Sequence, residues 1–246
     1  MDESGKQENI LGRIREILGD EHSFSILQEV VDIDLQMRYF EMSKRYRRVL
    51  SLEEVEEAHT LLFSTNPDEN DLRLALVCLA ATPEVSAFRV LEEYVNSVDQ
   101  NHRGWAVLAY GECRVNLESQ LLDQSQVFIS TGLGGHEDRL RYFTVMLSKS
   151  GNFTSLQEEV ITKELHFYLE RSNSIVEDLQ FNGKSVSITS LIPLDVALQP
   201  LFNDVIHSCN SLGQFLSDDM IITNVRRLTV DDIDDILLKG GFSSNV

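Results

Sequence analysis

A chain of 246 residues with 42% hydrophobic and 25% charged residues can bury a real core and does not have a disordered composition. Its formal net charge of -19 repels phosphate backbones and anionic lipid heads; this sets membrane surfaces aside, disfavours nucleic acid, and suits either a basic protein partner or plain solubility. With only 4 prolines and 13 glycines, punctuation is sparse, as suits helices joined by short turns rather than an all-β sandwich.

The stretch Met1 to Gly19 has no basic and apolar segments of a secretory signal, and no apolar run approaches the ~20 residues that cross a bilayer. The three cysteines, Cys78, Cys113 and Cys209, are far apart and form no CxxC pair, so neither a disulfide framework nor a zinc ribbon is expected, and the expected compartment is the cytoplasm. No cofactor is expected.

The first nine residues read as frayed, and a short helix runs from Ile10 to Leu18 before Gly19. Ser23 or Ser25 then opens a longer helix, with Ile26, Val30, Ile33, Met37 and Phe40 on its buried face. Ser51 and Glu54 form a capping box that starts the next helix. Asp71 to Ala81 is almost wholly apolar and reads as a central helix, while Thr82-Pro83-Glu84 marks a new start. A helix around Trp105 follows, then another, broken, from Leu117 towards Ile129. Gly132-Leu133-Gly134-Gly135 is a loop, His136 to Lys149 a helix stopped by Gly151, and Ser155 with Glu158 caps a helix to Glu170.

Beyond this point the pattern changes. Asn182-Gly183 between alternating segments predicts the tip of a β-hairpin. Pro193 to Cys209 reads as helical with a break at Pro200, Met220-Ile221-Ile222 as a short strand, and Thr229 as the cap of a last helix closed by Gly240-Gly241.

The helices near Asp71, His102 and Glu137 superpose in sequence, with Leu74, Trp105 and Leu140 at one position and Val77, Leu108 and Phe143 at another. Over residues 51–171 this pattern resembles a HEAT-type repeat array. The resemblance implies a mainly α fold: an array of antiparallel helix pairs over residues 1–172, and a small α/β cap containing the hairpin over residues 173–246. It further implies a non-enzymatic scaffold or adaptor whose binding face is made by the second helices, with Arg73, Arg103, Tyr110, Arg139 and Tyr142.

Two other constellations are weighed beside this one. Arg38, Lys44, Arg45, Arg47 and Arg48, interleaved with Tyr39 and Tyr46, form a basic cluster that could grip a nucleic-acid backbone, as in the HEAT-like alkylpurine DNA glycosylases. Those proteins are basic and this chain is acidic, so the cluster is read as helix-end cations paired with Glu53, Glu54, Glu56 and Glu57. His136-Glu137 is similar to one His-Glu dyad of the deoxyhypusine hydroxylases, and His102 could join it in a metal site. Only one dyad is present, so Glu137 is read as a first-turn acid and no metal is assigned. Likewise Asp231, Asp232, Asp234 and Asp235 lack the glycine and terminal glutamate of a calcium loop.

Overall fold

The computed structural model describes residues 9–19 and 22–238; of the nine residues expected to fray, 1–8 lie outside the described residues, as does the Gly240-Gly241 stop, while Asn9 caps the first helix. The chain divides into two compact units: residues 20–134 form one, and residues 1–19 together with 135–246 form the other. The boundary expected at 172/173 falls inside the second of these.

Helix α1 (Ile10–Leu18) is followed by β1 (Ser23–Ile26), α2 (Ile33–Tyr46), α3 (Leu52–Leu62) and α4 (Glu69–Ala80). Next come α5 (Val85–Ser97), α6 (Gln100–Leu122) and β2 (Gln126–Ile129), which completes the unit of residues 20–134. The other unit continues with β3 (Gly135–His136), β4 (Arg139–Ser148), α7 (Ser155–Arg171), β5 (Ile175–Asn182) and β6 (Ser185–Pro193). Helix α8 (Leu198–Gly213), strand β7 (Leu216–Thr223) and helix α9 (Val230–Leu238) end the described chain.

In the helical unit, local chemistry sets most helix starts. Ser51 and Glu54 make both bonds of the capping box on α3. Asp32, Asp68 and Asp99 accept from the free amides of α2, α4 and α6. Helix α4 is central, as its composition predicts: Leu72 and the run Leu76–Ala80 are buried, and it packs on α2, α3, α5 and α6. Strands β1 and β2 pair in parallel, Ser23 opposite Gln126 and Ile26 opposite Ile129.

This arrangement is not a helix-pair solenoid, in which each repeat touches only its neighbours. Four helices surround α4, and the third supposed repeat helix is strand β4. Leu74, Trp105 and Leu140 are not equivalent: Leu74 is 38% exposed, Trp105 is buried in a helix and Leu140 is buried in a strand. The HEAT-type resemblance and the mainly α fold class are therefore corrected to a mixed α/β fold.

The second unit is built on an antiparallel sheet. Along β4, β6 occupies one edge, while β3 and β7 share the other, pairing with different stretches of it. Strand β5 lies outside β6. From β4 to β7 the chain runs βαββαβ with strands ordered β7-β4-β6-β5, a ferredoxin-like arrangement. Helices α7 and α8 pack on one another, α7 against β5 and α8 against β7. Being central, β4 buries residues of both its faces: Leu140, Tyr142 and Met146 on one, Phe143 and Val145 on the other.

The expected hairpin exists, shifted by one residue. Asn182 pairs with Ser185, so the two-residue turn is Gly183-Lys184, and Gly183 takes the positive φ of 60° that its first central position demands. Thr154 and Gln157, one residue before the expected pair, form the capping box of α7. Pro200 lies in the first turn of α8 and breaks nothing, because the amide it lacks has no helical partner there. Helix α1 belongs to this unit through its start: Leu11 N–H donates to Leu194 O at 3.0 Å and Asn9 Nδ2 to Asp195 O at 2.8 Å. No helix among the described residues is long and apolar enough to cross a membrane.

Candidate docking groove

Helix α2 turns an unexpected face inward. Its buried residues are Gln36, Tyr39 and Ser43. Gln36 Nε2 donates to Val31 O and Thr131 O, and Tyr39 Oη donates to Glu112 at 2.7 Å. Of the apolar residues expected on one buried helix face, Val30 (66%), Met37 (57%) and Phe40 (38%) are outward, whereas Ile26 is buried but lies in β1.

The chain leaving α2 is stapled to α4. Leu50 N–H donates to Thr82 Oγ1 (2.9 Å), whose hydroxyl donates to Cys78 O (2.8 Å), and Cys78 Sγ donates to Tyr46 O (3.6 Å). Thr82, expected to cap α5, is spent on this staple, and α5 starts at Val85 after Glu84, whose side chain does not cap it. Between this linker, α3 and α4 lies a groove of about 480 Å³. Leu50, Ala58, Leu61, Leu74, Ala75 and Cys78 supply its apolar lining. Each helix contributes a stripe at helical spacing, Glu54-Glu57-Ala58-Leu61 and Asp71-Leu74-Ala75-Cys78.

Charge sits on the rim. Arg48 is paired with Glu54 at 2.8 Å, and the Ser51 amide together with Arg48 holds the Glu54 carboxyl below its usual range. Glu57 and Asp71 pair with no cation among the described residues. Burial pushes the Cys78 thiol up, away from the reactive thiolate.

A smaller hollow of about 190 Å³ shares Tyr46 with the groove and is lined by Arg38, Glu41, Met42 and Arg45. The basic cluster thus divides. Arg47 lies 3.8 Å from Glu112 and Arg48 is on Glu54, whereas Arg38 donates only to Asp34 O and Arg45 lies 6.0 Å from the Tyr46 ring centre. Lys44 has no partner among the described residues. Of the acids expected to neutralise this cluster, Glu54 alone does so.

The residues expected to form a partner face are engaged within the chain. Arg73 pairs with Glu69 and stacks 4.9 Å over Trp105. Arg103 forks onto Glu29 and also donates to Val95 O. Tyr110 stacks on Phe88. In the other unit, Arg139 donates to Asn173 O and pairs with Glu137 and Asp138, and Tyr142 is buried within the sheet.

His102 lies in the first turn of α6, with Nδ1 3.2 Å from Asp99 Oδ1, and His136 is exposed in β3. Glu137 is not a first-turn acid: it takes a positive φ of 54° in the β3–β4 turn, so the helix start at His136-Glu137 is corrected to a hairpin. Among the described residues no group of three or more His, Cys, Asp or Glu side chains could hold a metal ion. Asp232, within the acidic run of α9, is forked onto Arg226 and caps the helix with Thr229.

Sequence reasoning missed Leu50, Ala58, Leu61, Leu74, Ala75 and Cys78 as a site, and named Tyr46 only beside the basic cluster. The one available signal is α4, apolar on more than one side, which requires either full burial or a second apolar contact.

No family model matches the chain, and no curated protein matches it. One solved structure similar to part of it is a REP-associated tyrosine transposase bound to a REP hairpin, at 8% identity over 42% of this chain and 68% of that one, with a TM-score of 0.32. A likeness that slight has no bearing on function.

Proposed function

We propose that the protein is a protein-interaction module and that the α3–α4 groove receives an amphipathic helix of a partner. The occupant's apolar side chains enter between Leu61 and Leu74, and its lysines or arginines meet Glu57 and Asp71. The observation that carries this reading is an apolar groove of about 480 Å³ with two carboxylates on its rim that pair with no cation among the described residues. Helix-in-groove recognition uses this geometry, apolar anchors at helical spacing with a polar rim. Each fully buried leucine contributes about 1.5–3 kcal/mol, and the rim pairs set specificity more than strength. The net charge of -19 supports a basic partner by steering it in.

The test is fluorescence anisotropy with labelled synthetic helices carrying a Leu/Ala face flanked by Lys. Binding with a Kd on the order of micromolar is expected. Leu74→Glu should abolish it at unchanged melting temperature, and a peptide with Glu in place of Lys should not bind. Equal binding of both peptides would remove the charge argument, and binding of neither would remove the proposal.

A further inference from the structure

We infer that the docked segment is bipolar in charge: beyond the basic stretch over Glu57 and Asp71 it carries carboxylates that reach Arg38 and Arg45 on α2. This rests on the docking reading above and names the chemistry of the rest of the occupant. Three observations carry it. First, the groove and the smaller hollow share Tyr46 in their linings, so one extended occupant can reach both around that ring. Second, the free charges change sign between groove and hollow. Glu57 and Asp71 line the groove; in the hollow Arg38 and Arg45 have no carboxylate partner among the described residues. Third, Arg38 and Arg45 are seven positions apart, about 10.5 Å along one helix face, with Met42 between them as an apolar floor.

A purely local account explains only part of the stripe. Cations at a helix C-terminus complement its dipole, which covers Lys44 and Arg45 in the last turn of α2. Arg38 lies in the first half of that helix, where the dipole offers nothing to a cation, and its guanidinium donates to a carbonyl instead of a carboxylate. Glu41 lines the same hollow and forms no ion pair among the described residues, so the stripe stays net positive. Guanidinium forks fit carboxylates in a bidentate manner, and the Tyr46 ring helps to orient that of Arg45. Phosphates would also suit two arginines, but the net charge of -19 opposes a nucleic-acid backbone, and the hollow shares a wall residue with an apolar groove.

The experiment extends the Leu/Lys peptide with a short Glu-rich tail at one end or the other, with Gln-tailed peptides as controls. The protein is used as the full chain, wild type and Arg38→Glu/Arg45→Glu. Both arginines are exposed on α2, and circular dichroism confirms that the variant folds. The expected result is about tenfold tighter binding of one Glu-tailed peptide than of its Gln-tailed control, with the gain lost in the double variant. No gain, or a gain retained in the variant, overturns the inference while the docking reading stands on the untailed peptide. Failure of every peptide to bind overturns both. A labelled DNA duplex bound at physiological salt and released by the double substitution would assign the stripe to phosphates and overturn the inference.

Discussion

The phenolic hydroxyl of Tyr39 donates a 2.7 Å hydrogen bond to Glu112 across the α2–α6 contact, and the Tyr39 ring lies edge-on to Trp105 at 5.4 Å. Tyr39 is completely buried, and its burial, followed by the nearby Glu112 charge, pushes the phenol up so that it stays a donor. This one side chain fixes which face of α2 is inside. It leaves Arg38, Phe40 and Arg45 outside, where a partner can reach them.

Tyr39→Phe is therefore expected to cost about 1–3 kcal/mol, because it leaves Glu112 with only a long contact to Arg47. Urea denaturation measures this. A change near zero would mean that water replaces the phenol at Glu112.

Gly134 has a positive φ of 64°, and a Cβ there would stand 2.6 Å from the Glu29 carbonyl oxygen. Gly134→Ala should cost roughly 3 kcal/mol or more, combining backbone strain with overlap. Gly151 has a similar φ of 71° but nothing within 4 Å of such a Cβ, so Gly151→Ala should cost only about 1–2 kcal/mol. Equal losses in thermal melts of the two variants would contradict the crowding at Gly134.

Leu140 and Leu74 separate the sheet from the repeat reading. Leu140 is 1% exposed in the central strand, so Leu140→Ala should cost about 2–5 kcal/mol. Leu74 lines the groove at 38% exposure, so Leu74→Ala should cost less than about 1 kcal/mol. Comparable losses at the two sites would restore their equivalence and contradict the strand.

Arg141 forks onto Glu177, and its hydrogen bonds hold that carboxyl below the usual range against the opposing effect of burial. A carboxyl whose value is depressed by folding adds stability that is complete above its unfolded value and is lost as pH falls through the folded one. Stability should thus begin to fall below about pH 4.3, and Glu177→Gln should flatten part of that acid limb. Urea midpoints between about pH 6 and pH 3 measure it. Parallel curves for wild type and variant would count against the pair.

Helix ends were legible wherever one side chain settles them, as at Ser51 with Glu54 or at Gly19 after α1. Strand β4 was not legible. It is buried on both faces and so shows no alternation, while Leu140, Phe143 and Leu147 fall at helical spacing by coincidence. The buried face of α2 escapes hydrophobic periodicity because Gln36 and Tyr39 point inward through polar bonds that it does not register, beside the small buried Ser43. The basic cluster could be read from the chain. The apolar groove could not, because it exists only once the Leu50–Thr82–Cys78 staple brings the α2–α3 linker onto α4.

The Asn9–Asp195 bond joins positions 186 residues apart, and the whole helical unit is threaded between them. On a ribosome, α1 emerges ahead of the helical unit yet has no acceptor until β6 and the turn after it have been made. The helical unit, whose strands and helices all come from one continuous stretch, can complete itself in that interval. Helix α1 is thus made before the helical unit but docks after it, and its apolar side chains must be kept from aggregation throughout that interval.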